Sequence, residues 1–276
     1  MLYFFTFCVD IKRHSKNDMA RCLQLMVNSI HKHNKDYKII CFRNFDINKY
    51  TDLSNYNIEF RNYYDRSTNR LYNDKWLNLS FNKINLYKDL YDETNIDYIW
   101  IDLDTIITTN ISYLNDYDHF FIENGGNSTN KSYFFNNSNI NIPRNIYIQG
   151  NFWKLNIDLY HKLMNVFYQL QQKKLILKYD LQTLYGYYIY ILNSERIDNF
   201  NILGNTVKKE TINGLCVWSK EGNTHATIDG LSNMYNDNGI LKTNFYPNKE
   251  IHILSFTFYT LRRLWNTKKF IILNMM

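Results

Sequence analysis

A chain of 276 residues, 45% of them hydrophobic, has room for one large α/β domain or two small ones. Its 32 Lys and Arg against 26 Asp and Glu leave a formal charge of +6, a modest excess that favours a nucleotide diphosphate or another polyanion. No Lys/Arg cluster is dense enough to make nucleic acid the main partner, and no apolar stretch approaches the roughly 20 residues of a membrane span.

The first segment, Met1–Val9, is apolar but lacks a basic leader and meets Asp10 at once, so it reads as a buried strand and not as a signal peptide. Asn17–His33 reads as a helix, with Met19, Leu23, Met26, Val27 and Ile30 at helical spacing. Tyr37–Phe42 and Ile58–Phe60 read as further strands. A long helix is expected over Lys75–Leu90, carrying Leu79, Lys83, Leu86, Tyr87 and Leu90, and a strand ending at Asp102 follows it. This order predicts an α/β fold with a mostly parallel sheet and helices on both faces. An Asn-rich polar stretch at 123–145, with Gly125 and Gly126 inside it, reads as a loop over the site. Beyond it come a short strand (Ile146–Leu155), a helix (Ile157–Gln171) and a second helix from about Asp180 to Ile191. The region 200–245 is weakly patterned, and Glu250–Trp265 reads as strand plus helix. Neither a repeat nor a linker divides the chain, so a single domain is expected. The cysteines Cys8, Cys22, Cys41 and Cys216 show no CxxC or metal-like spacing and read as small hydrophobes in a soluble, cytoplasmic protein.

The segment Ile99-Trp100-Ile101-Asp102-Leu103-Asp104 carries the most chemistry. An apolar run ends in two carboxylates spaced so that, on a strand, they share a face. Such a pair is costly to bury without a cation or a proton. Hard oxygen ligands of this kind suit Mg²⁺ or Mn²⁺, with positions left for substrate phosphate oxygens. The carboxyl end of a buried strand is also where open α/β sheets place their ligands. A strand-end pair that merely caps the next turn is the plainer alternative.

Three blocks together resemble the GT-A-fold, nucleotide-sugar-dependent glycosyltransferases of the glycogenin-like, family 8-type retaining group. The first is Ser80-Phe81-Asn82-Lys83-Ile84 followed by Asp102-Leu103-Asp104-Thr105, similar to the helix lysine and DxD strand of those enzymes. The second is Tyr147-Ile148-Gln149-Gly150-Asn151-Phe152, continued by Asp180-Leu181-Gln182. The third is Glu250-Ile251-His252-Ile253-Leu254. The resemblance implies a UDP-sugar donor, Mn²⁺ or Mg²⁺ held by Asp102, Asp104 and His252 (His225 being the fallback), and a saccharide or glycosylated-protein acceptor. It assigns Thr6, Asp10, Lys83 and Asp102 to the nucleotide, and Gln149 and Asp180 to the transferred sugar. It also divides the chain into a donor half, 1–122, and an acceptor half, 146–276, with aromatic residues such as Trp218, Tyr235 and Tyr246 shaping the latter. The Gly and Lys expected after the histidine are replaced by Ser255 and Phe258, and Leu181 splits the Asp-Gln pair.

Each of these residues also has a plainer role. Lys83 would be a solvated helix lysine, His252 a satisfied core histidine, Asp180 a helix N-cap and Asp10 a turn cap. Two other functions compete. A haloacid-dehalogenase-type phosphatase would use Asp102 as nucleophile, but that motif normally opens a chain. A non-catalytic sugar-binding module on a transferase fold would keep the architecture without the chemistry.

Overall fold

The computed structural model describes residues 1–64, 75–124, 147–173, 180–203, 234–238, 240–243 and 246–255. Strand β1 (Leu2–Cys8) leads into helix α1 (Lys16–His33). Ser15 caps that helix by accepting the Asp18 N–H at 3.1 Å, and the cationic candidates His31, Lys32 and His33 occupy the last turn, where the helix dipole favours positive charge. Strands β2 (Tyr37–Arg43) and β3 (Ile58–Asn62) follow, then helix α2 (Lys75–Thr94) and strand β4 (Ile99–Ile101).

A turn closed by the Thr105 N–H on the Asp102 carbonyl, at 3.1 Å, redirects the chain into β5 (Thr105–Ile107). Next come β6 (Phe120–Asn124), β7 (Tyr147–Lys154), helix α3 (Ile157–Gln172) and helix α4 (Asp180–Gly186), which runs on as a π-helical segment over Tyr187–Leu192. The remaining strands are β8 (Ile202–Leu203), β9 (Met234–Asp237), β10 (Ile240–Thr243), β11 (Tyr246–Glu250) and β12 (Ile253–Ser255).

The main sheet has seven strands in the order β3-β2-β1-β4-β7-β6-β8. All neighbours are parallel except β7, which runs antiparallel to both β4 and β6. The fold is therefore α/β, with a mixed, mostly parallel sheet flanked by helices, as the order of elements predicts. Alternate residues of each strand feed two cores. Phe4, Cys8, Ile39 and Ile101 pack with Met19, Leu23, Met26 and Ile30 of α1. Phe5, Trp100 and Trp153 pack with Tyr87 of α2, Leu163 of α3 and Tyr185 of α4. Strands β5 and β12 pair antiparallel beside α1, adding Ile106, Ile107, Ile253 and Leu254 to its core.

Two expectations differ from what is observed. Residues 123 and 124 continue β6 and are not loop, because the apolar run Phe120–Ile122 extends pairing with β7; 125–145 lie outside the described residues. The strand expected from Glu250 is two strands, β11 and β12, and the helix that would follow lies outside the described residues. Among the described residues no helix is long and apolar enough to cross a membrane.

Candidate functional site

Connectivity locates the site before any side chain is considered. From β1 the chain moves outward through β2 to the edge strand β3, then returns through α2 to place β4 on the other side of β1. The strand order reverses between β1 and β4, and a crevice at their carboxyl ends is the place where such sheets bind ligands. Asp102 follows the last residue of β4, and Phe7 and Cys8 end β1.

Four separated segments meet there. Lys83 of α2 is 6% exposed and sends its Nζ to Asp102 Oδ1 at 2.8 Å and to the Gly150 carbonyl at 3.2 Å. The Asp102 N–H donates to the Asn151 carbonyl at 2.9 Å, which extends the antiparallel β4–β7 ladder by one step. Gly150 in turn lies against α4: a Cβ at this position would sit 2.9 Å from Gln182 Cγ, too close for any larger residue without movement. Lys83 is thus no solvated surface lysine. It is a buried lysine paired with Asp102, with a second donor bound to the Gly150 carbonyl.

The two carboxylates behave differently. Asp102 accepts from Lys83 and also from Trp100 Nε1 at 2.8 Å. Asp104, past the turn, lies toward α1, close enough that its charge adds to the effect of burial in raising the Cys22 thiol. Burial and the neighbouring Asp102 carboxylate push the Asp104 carboxyl up to about 8, against smaller opposing influences from its own backbone N–H and from Lys83. The compensation the pair requires has reached only Asp102.

His252 does not join them. Strand pairing sets Ser255 opposite Thr105 and Ile253 opposite Ile107, so β5 lies between His252 and Asp104. The imidazole is buried at 6% exposure, and its Nδ1 is 2.8 Å from the Tyr113 hydroxyl. Its carbonyl accepts the Thr108 N–H at 2.9 Å. Among the described residues no group of three or more His, Cys, Asp and Glu side chains is close enough to hold a metal ion. The physical reason is register: His252, the residue before β12, lies beyond the far end of β5 and meets Tyr113 of the 3₁₀ turn Ser112–Asp116. His225 lies outside the described residues.

Among the nucleotide candidates, Thr6 is fully buried in β1, with no hydrogen-bond partner for its Oγ1 among the described residues. Asp10 shapes the β1–α1 turn: Oδ1 accepts the Lys12 N–H at 2.7 Å, which holds Lys12 at φ 65°, and Oδ2 is 3.5 Å from Lys16. Asn44 locks that turn to the end of β2 through the Asp10 N–H at 2.7 Å and the Asp10 carbonyl at 3.1 Å. Gln149, on β7, pairs with Ile122 of β6, and Asp180 is the first residue of α4. Of the acceptor-half residues, Tyr235 and Tyr246 lie on β9 and β11, while Trp218 and Phe258 are outside the described residues.

A cleft of about 360 Å³ opens at the carboxyl ends of β2 and β3, lined by Arg43, Asn44, Phe45, Asp46, Asn62, Tyr63 and Tyr64. Helix α2 ties this cleft to the acid pair through adjacent residues: Asn82 donates to the Tyr63 hydroxyl at 2.7 Å while Lys83 holds Asp102. Sequence reading does not identify Trp100, Asn82 or Gln182 as partners here. Asn82 and Gln182 fall inside the blocks that carry the resemblance, and Trp100 has a signal of its own, since a residue two before Asp102 on a strand shares its face. No protein-family model matches the chain, and no curated protein is significantly similar to it.

Proposed function

We propose that the chain is a metal-dependent glycosyltransferase that moves a hexose from a nucleoside diphosphate sugar, a UDP-sugar in the first instance, to a hydroxyl acceptor. The observation that carries this reading is the convergence of Lys83, Asp102, Gly150 and Gln182 at the crevice where the strand order reverses. Segments far apart in the chain, each within a block that carries the resemblance, meet at a point suited to a phosphorylated ligand.

The donor chemistry fits a hard divalent cation. Asp104 is a carboxylate held near a second one, with its charge poorly compensated, and Mg²⁺ or Mn²⁺ is commonly held by one or two carboxylates together with substrate phosphates and water. Asp104 would hold the ion with Asp102 beside it, and a bound cation there would offset charge developing on a diphosphate leaving group. Lys83 orients Asp102 through the 2.8 Å contact with its Oδ1. The cleft at Arg43–Asp46 and Asn62–Tyr64 offers the same ligand an aromatic and amide-lined wall on the side reached through Asn82. Gln149 and Asp180, on the two segments that Gly150 and Gln182 bring together, are the proposed sugar-facing residues, and retention of configuration follows from the resemblance alone.

Calorimetric titration with UDP in the presence and absence of Mn²⁺, followed by assays of UDP release from a panel of UDP-sugars, tests this reading. Mn²⁺-dependent binding and turnover are expected, both lost in Asp104→Asn. Full turnover in that variant, or hydrolysis of a phosphomonoester in place of UDP-sugar, would overturn it.

A further inference from the structure

We infer that Trp100 is a positioning residue for Asp102, holding the carboxylate in the one orientation that serves the bound cation and diphosphate. The inference rests on the glycosyltransferase reading above. Trp100 touches both members of the Lys83–Asp102 pair. Its indole N–H donates to Asp102 Oδ1 at 2.8 Å, while the Lys83 ammonium stands over its ring, 4.6 Å from the centroid. Edge and face of one side chain therefore address opposite charges, as the positive edge and negative face of an aromatic quadrupole favour.

Neither contact can slide. Trp100 is fully buried and wedged among Phe5 at 4.9 Å, Phe7 at 5.0 Å and Trp153 at 6.2 Å between ring centroids. A buried indole N–H needs an acceptor, and Asp102 Oδ1 supplies it. Asp102 Oδ1 thus has two donors from two elements, α2 and β4, arriving from different directions. A lysine alone is a flexible point charge that would let the carboxylate rotate. A fixed ring edge removes that freedom before ligand arrives, which lowers the ordering cost of binding.

The aromatic core supplies a matched control. Trp153 is equally buried and stacks on Trp100 at an interplanar angle of 21°, yet its indole N–H has no partner among the described residues. Trp100→Phe and Trp153→Phe remove the same atoms from the same cluster, but only the first touches Asp102. Titration of Mn²⁺ and UDP into wild type and both variants, with thermal melting of each, separates positioning from packing. Trp100→Phe should weaken Mn²⁺-dependent UDP binding roughly tenfold, the scale of one hydrogen bond to a charged group, and Trp153→Phe should leave it within about twofold at a similar loss of melting temperature. Equal weakening in both variants, or none in Trp100→Phe, would overturn the inference while leaving the functional reading intact. Wild-type protein that binds no UDP with Mn²⁺ would remove the reading and the inference with it.

Discussion

Asp104 is the residue whose environment departs furthest from its partner's. Its carboxyl is raised to about 8, first by burial and then by Asp102. Between an ordinary value of about 4 and that raised one, the folded protein holds a proton that the unfolded chain releases. Stability in protein stripped of divalent cations should therefore be fully present at low pH and fall as pH rises through this window. Asp104→Asn should flatten the dependence and raise the melting temperature by a few degrees near pH 8, measurable by calorimetry across pH 4–9. An unchanged slope in that variant would show that the destabilising charge lies elsewhere. Lys83 has the opposite character. Lys83→Met removes the ammonium from Asp102 and leaves the Gly150 carbonyl without that donor, and should cost about 2 kcal/mol in urea unfolding. Loss below a few tenths of a kcal/mol would return Lys83 to the role of an ordinary helix lysine.

Between elements, the tightest joint is the one where β7 meets α4. Gly150→Ala brings a methyl group to 2.9 Å from Gln182 Cγ, so either the side chain or the first turn of α4 must move. A destabilisation of about 1–3 kcal/mol and a shift in sugar-dependent turnover larger than any shift in UDP affinity are expected. Turnover and affinity falling together would place the strain at the nucleotide instead. A second joint is the docking of β12 on β5, closed by Tyr113 on His252. Tyr113→Phe should accelerate hydrogen exchange at the Thr108 amide, which bonds the His252 carbonyl, and leave β1 and β2 unaffected. The contrast between these joints explains what sequence could reveal. Helical spacing from Met19 to Ile30 and the apolar run before Asp102 are local patterns, so α1 and β4 were legible. The partner of His252 depends on the register of two strands that lie far apart along the chain. No local pattern encodes that register, so the sequence left His252 as either a metal ligand or a core histidine and did not point to Tyr113.

At the scale of the sheet, three candidate features among the described residues lie at the carboxyl ends of its parallel strands: Asp10 beyond β1, the cleft beyond β2 and β3, and Asp102 beyond β4. Binding of Mn²⁺ and UDP should slow hydrogen exchange jointly in 9–16, 43–46, 62–64 and 102–105. The turn at Asn95 before β4, at the opposite edge, should show no change. Protection confined to one of these segments would limit the ligand to that segment. The carboxyl-edge placement of Asp102 was readable from its apolar strand, and the cleft was not, because residues such as Asn44 and Tyr63 carry no pattern that distinguishes a lining from a loop.

The insertion of β7 between β4 and β6 also bears on how the molecule acquires its structure. Lys83 and Asp102 precede β7 in the chain, but the carbonyl that Lys83 holds and the carbonyl that receives the Asp102 N–H both belong to β7. A growing chain released before that strand would have the three parallel pairings among β1, β2, β3 and β4 but a lysine–aspartate pair without the two β7 carbonyls. Contacts of such sequence separation form late, because loop-closure entropy must be met before they contribute. Ligand competence should therefore trail the recovery of helical signal in refolding.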